Sequence, residues 1–110
     1  MNKYHNKKCI YKDMMFDSKK ERDYYIVLEM MLKNNQITDL KTQVKFELQP
    51  SFKFNGKTIR SINYIADFTY IDKKNKLHII DVKSKATKKD KVYRLKKKMM
   101  RYKGYDIEEI

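Results

Sequence analysis

Two glycines, one proline, one cysteine and no tryptophan stand among 110 residues. Each shortage removes a class of protein. Gly56 and Gly104 are too few for a glycine-rich phosphate loop, which excludes a Rossmann or P-loop nucleotide enzyme. Cys9 alone closes no internal disulfide, and beside His5 and His78 it makes no Cys/His set of structural-zinc spacing. No apolar run approaches the roughly 20 residues of a membrane span, and no leader-peptide core follows Met1. A cytoplasmic location is expected. Acidic residues are scarce too, 14 against 27 lysines and arginines, for a net charge of +13. So large a charge on so short a chain repels itself until a polyanion neutralises it. Nucleic acid is the first partner this implies and an anionic membrane surface the second.

What remains is enough to fold. Nine tyrosines, five phenylalanines and seven methionines supply one core, while the length leaves no room for a second domain. Residues 1–12, with Lys3, Lys7, Lys8 and Lys12, read as a basic arm, with a short extended piece around 10–16. A single domain then occupies 13–110. Ser18-Lys19-Lys20-Glu21 has the form of a capping box opening a helix to about Lys33. Its apolar face is Tyr25, Leu28 and Leu32, widened by Tyr24, Val27 and Met31. From Gln43 the period becomes two, as Val44, Phe46 and Leu48 alternate with polar residues. Asn55-Gly56 signals a tight hairpin, so a second strand is expected over Thr58–Ile71 and a third over Lys76–Lys83. Thr87–Lys103 is helical in pattern. Val92, Leu95, Met99 and Tyr102 form its apolar stripe, predicted to pack on the sheet, which leaves no helix free to enter a membrane. Gly104 ends it, and Tyr105–Ile110 is read as a last strand parallel to the third. The predicted fold is α/β (α+β), in the order αβββαβ, with one mixed sheet flanked by helices.

Two aspartates interrupt apolar strands. On the second strand Tyr64, Ala66, Phe68 and Tyr70 are assigned one face and Ile65, Asp67, Thr69 and Ile71 the other. A three-residue turn, Lys73-Lys74-Asn75, sets Asp72 opposite Lys76. Counting five back along one strand and five on along the other then sets Asp67 opposite Asp81. Their Cβ atoms would be roughly 4.5–5.5 Å apart. Two like charges there are unfavourable, so one takes a proton or a cation binds between them. Oxygen ligands of this kind suit Mg²⁺ or Mn²⁺. The bland alternative is that each aspartate merely marks a strand end or pairs with a lysine. Lys83 lies on the Asp81 face, two residues on. Glu21, four residues before Tyr25 and seven before Leu28, points along the helix toward the sheet, although it is also the cap residue of its own helix.

From Lys83 to Lys103 the chain has eleven basic residues and one acidic residue, Asp90. Such a run beside the aspartates is a surface for tracking phosphates. Lys85, Lys88, Lys91, Arg94, Lys97, Lys98 and Arg101 are the candidate DNA contacts. No base-reading signature accompanies them. Tyr93 and Tyr102 are read as core rather than as stacking platforms, and His5 and His78 receive no catalytic role.

Asp67, thirteen intervening residues and Asp81-Val82-Lys83 resemble the D…(D/E)-x-K core of PD-(D/E)XK nucleases. Glu21 matches the acidic residue that many members, Holliday-junction resolvases included, carry on the first helix. The phrases Phe16-Asp17-Ser18-Lys19, Phe46-Glu47-Leu48-Gln49-Pro50, Tyr64-Ile65-Ala66-Asp67-Phe68 and Tyr93-Arg94-Leu95-Lys96 resemble a group of small phage proteins placed in that superfamily. Ala66 stands where the nominal motif has proline, and Asp81 where glutamate is commoner. The resemblance implies a restriction-endonuclease-like fold and Mg²⁺-dependent hydrolysis of DNA phosphodiesters. It assigns the metal to Asp67, Asp81, the Val82 carbonyl and Glu21, and catalysis to these carboxylates with Lys83. A junction-resolvase-like enzyme of phage DNA metabolism, cutting branched DNA as a two-fold homodimer, is the reading that follows. Its rival is a non-catalytic nucleic-acid-binding module on the same fold.

Overall fold

A computed structural model describes residues 8–110. Strand β1 (Cys9–Tyr11) pairs with β2 (Met14–Phe16) in a hairpin packed on helix α1 (Lys19–Lys33). Part of the stretch read as a basic arm is thus a strand of the domain, held by Tyr11, which donates to Glu29 of α1 at 2.7 Å. Lys3, His5 and Lys7 lie outside the described residues. Helix α1 starts where the capping box places it, with the Ser18 hydroxyl accepting from the Glu21 amide at 3.1 Å. It buries Leu28 and packs Tyr24, Tyr25 and Met31 around it. Val27 and Leu32 turn outward instead of joining this face, because the contact stripe runs 21–24/25–28–31 and leaves both on its flanks.

The main sheet has the order β3 (Ile37–Gln49), β6 (Ile62–Asp72), β7 (Leu77–Asp81), β8 (Ile107–Glu109). Its first three strands are antiparallel and β8 runs parallel to β7. With α1 before β3, and α3 (Lys91–Tyr102) between β7 and β8, the core order is αβββαβ. The fold is α+β with a mixed sheet. Strand β3 starts six residues before the readable alternation, because Asp39 and Gln43 adopt left-handed φ of 55° and 52° and scramble the period while the pairing continues. The Asn55-Gly56 turn forms, with φ of 51° and 76°. Its strands, β4 (Phe52–Phe54) and β5 (Lys57–Ile59), make a separate two-stranded ribbon rather than extending the sheet. The second long strand therefore begins at Ile62, and Pro50, with no N–H to give, ends the ladder before the ribbon.

Two cores lie on the sheet. Phe68, Tyr70 and Ile80 pack with Leu28 and Phe16 beneath α1. Tyr64, Ala66 and Ile79 pack with Leu48, Met100 and Ile107 beneath α3. Tyr64 and Ala66 thus do not share a face with Phe68 and Tyr70. The alternation breaks at Asp67, opposite the left-handed Gln43. The helix expected over Thr87–Lys103 is two, α2 (Lys85–Lys88) and α3, because the Asp90 carboxylate caps a fresh start by accepting from the amides of Val92 and Tyr93. Helix α3 buries Met100, with Tyr93 and Met99 beside it. Val92, Leu95 and Tyr102 face outward, Tyr102 at 93% exposure. Their predicted packing on the sheet is corrected: the inward face is centred on Tyr93, Lys97 and Met100, where Lys97 ends on Glu109. Among the described residues no helix is long and apolar enough to cross a membrane.

Candidate active site

The β6–β7 ladder pairs Ile71 with Leu77 through to Phe68 with Ile80, in the register that sets Asp67 against Asp81. Beyond Phe68 and Ile80 the carboxylates take over from backbone carbonyls. Asp67 N–H donates to Asp81 Oδ1 at 3.3 Å, and Val82 N–H donates to Asp67 Oδ2 at 2.8 Å. Asp81 ends β7, as the alternative reading has it, while Asp67 lies inside β6 and its carboxylate closes the end of β7. Asp81 is fully buried, and its Oδ2 has no hydrogen-bond partner. Burial pushes its carboxyl up to about 6, although the Lys83 ammonium pulls the other way. Asp67, also buried, is raised by the same desolvation against the opposing Val82 amide and Lys83.

Glu21 is only 3% exposed although it stands in the first turn of α1. Its carboxylate accepts from the Asp17 amide and from Gln43 Nε2, each at 3.3 Å. Burial, then the negative charge of Asp67, push it up to about 7. Capping and inward pointing, the two readings of Glu21, hold together. Gln43 was not visible as a site residue in the sequence. Its amide donates to Glu21, and its polar end joins the Val82 amide and Lys83 in opposing the burial that raises Asp67. The one signal available was a polar residue at the position where strand alternation begins.

Lys83 Nζ lies 3.6 Å from Asp81 Oδ1 and 5.5 Å from the centre of the Tyr93 ring. Tyr93 donates to Glu109 Oε2 at 2.7 Å, and Lys97 holds the other oxygen of Glu109 at the same distance. Strand β8 thereby pins α3 to the edge of the site, its Glu109 in register with Asp81.

The family model described as "Protein of unknown function (DUF1064)" matches residues 1–109. The chain belongs to this family. No curated protein and no solved structure matches it. In this DUF1064 chain the basic residues fall into two groups. Lys85, Lys91, Arg94, Lys98 and Arg101 are exposed, and a groove of about 260 Å³ along α3 is lined by Lys88, Arg94, Lys98 and Arg101 among others. Lys97 lines it as well, but its charge is spent on Glu109. Tyr93 is half-buried as expected, while Tyr102 lies fully outside the core. His78 sits between Asp72 and Glu108, 2.7 Å from each, three residues before Asp81 on β7.

The donor chemistry of this DUF1064 site suits a hard divalent cation. Asp81 carries a buried oxygen with no donor, and burial holds all three carboxyls above their usual range, with Lys83 opposing it. Among the described residues no three His, Cys, Asp or Glu side chains are gathered into one ready ion-holding cluster. The convergent set is the Asp67–Asp81 pair, with Glu21 near enough for the charge of Asp67 to raise its carboxyl.

Proposed function

We propose that this chain is a metal-dependent DNA endonuclease of the PD-(D/E)XK type, structure-selective for branched DNA such as four-way junctions. The observation that carries the reading is the sealed, partnerless Oδ2 of Asp81 beside Asp67 and Lys83. A buried carboxylate oxygen without a donor costs folding free energy, and a divalent cation would satisfy it. Asp67 and Asp81 would hold Mg²⁺ or Mn²⁺ with the Val82 carbonyl, and Glu21 would complete the acidic set. When bound, such an ion polarises a scissile phosphate and makes water more acidic.

The protein's own contributions are positional. The Val82 and Asp67 amides fix the two carboxylates. Lys83, braced by Asp81 and the Tyr93 ring, would orient the attacking water or balance charge growing on the phosphate. The exposed basic face of α3 would track the backbone without reading bases. Hydrolysis leaving 5′-phosphate and 3′-hydroxyl ends, in the host cytoplasm during phage DNA metabolism, completes the proposal.

The test is cleavage of labelled four-way junction and matched duplex with Mg²⁺, Mn²⁺ or EDTA, by the wild type and Asp81→Ala. Metal-dependent cutting that the variant loses, with junction preferred, is expected. Tight salt-sensitive binding with no cutting under either metal would favour the non-catalytic binding module.

A further inference from the structure

The ribbon β4–β5 is the part of the molecule that the catalytic reading leaves unused. Every residue from 50 to 60 is exposed. Phe52 stands opposite Ile59 and Phe54 opposite Lys57, so Phe52, Phe54, Ile59 and the Lys57 stem share one face. Phe54 is 64% exposed and Phe52 46%. A lone two-stranded ribbon is marginal in water, and this one adds the cost of bare aromatic rings. The Asn55-Gly56 turn, left-handed at both residues, nonetheless fixes its hairpin geometry. The segment carries Lys53, Lys57 and Arg60 and no acidic residue.

Its occupant must therefore offer flat apolar faces and negative charge together. Unpaired nucleobases on a phosphate backbone offer both. A second copy of the chain would set a basic ribbon against a molecule of charge +13, which argues against self-pairing. We propose that the β4–β5 ribbon is a base-stacking element, on which Phe52 and Phe54 receive bases unstacked at a DNA branch while Lys53, Lys57 and Arg60 hold the flanking phosphates. Eight residue steps separate Ile59 from Asp67, with Arg60 and Ser61 between the strands, a reach of at most about 26 Å, so the ribbon engages DNA up to several base pairs from the cut. The inference deepens the endonuclease reading and rests on the DNA partner named there.

The experiment uses Asp81→Asn protein in EDTA, so binding is read without cutting. Affinities for four-way junction and linear duplex are compared with and without Phe52→Ala/Phe54→Ala, and 5-iodouracil at the branch is photocrosslinked and mapped. The double variant is expected to weaken junction binding roughly tenfold or more, the scale of losing one base–aromatic stack, with duplex binding changed less than about twofold. Crosslinks should map to Phe52 or Phe54, and Phe54→Trp should keep junction affinity. Equal loss on both DNAs, no loss on either, or crosslinks confined to Tyr93 or Tyr102 would overturn the ribbon's role while leaving the endonuclease reading intact. A change of mass in light scattering with the double variant would make the ribbon a contact between copies and overturn it too. No binding of either DNA by the starting protein would remove both readings.

Discussion

Asp81 Oδ2 is buried and no protein donor reaches it, so ionising this side chain in the metal-free fold is unfavourable. Replacing it by asparagine keeps an acceptor for the Asp67 amide and removes the buried charge. Asp81→Asn should therefore abolish metal-dependent cutting and raise the Tm of the metal-free protein at pH 8, read by thermal melting beside a cleavage assay. The pH dependence has the same origin. Asp81 titrates near 6 and Glu21 near 7 in the fold, against 3.8 and 4.5 as ordinary values. Each binds its proton more tightly folded than unfolded, so its stabilising contribution is full below about pH 4 and is lost as pH rises through 6 to 7. In EDTA the Tm should fall between pH 5 and 8, and Asp81→Asn with Glu21→Gln should flatten that fall; an equally steep profile in the double variant would refute the assignment. Asp67, Asp81 and Glu21 were legible at this scale because charge in an apolar stripe stands out. Gln43 was not, since a glutamine at φ 52° has no sequence signature comparable to Asn-Gly.

Helix α3 shows where periodicity misleads. Its most hydrophobic stripe, Val92, Leu95 and Tyr102, is the one that faces water, while Met100 is sealed beneath it. Lys97 shares the inward side because its stem can lie along the sheet and its ammonium can reach Glu109. Pattern counting treats lysine as polar and so chose the wrong face. Met100→Ala should cost about 2–5 kcal/mol and Leu95→Ala almost nothing, by urea denaturation; the reverse ranking would restore the sequence-derived face. The β6–β7 register was readable because a three-residue turn fixes it. The start of β3 was not, because two left-handed residues hide its alternation.

At the scale of the whole molecule, the charge of +13 would dominate the encounter with the DNA proposed as its partner. Arg94→Ala and Lys98→Ala should each reduce the slope of log affinity against log salt by about 1, while Lys97→Ala should lower the Tm through Glu109. The two-fold assembly proposed for paired cutting is checked by light scattering with and without branched DNA, and a single monomer mass in both would end it. The change of face at Gln43 and Asp67 has a mechanical consequence. One sheet carries two cores, one under α1 and one under α3, and the acidic centre lies on the seam between them. We expect the two halves to loosen separately, and either opening would part Glu21 from Asp67 or Lys83 from Tyr93. Catalysis should then fail on heating several degrees before the backbone melts, with amide exchange dividing the protein into two sets that meet at the reactive centre.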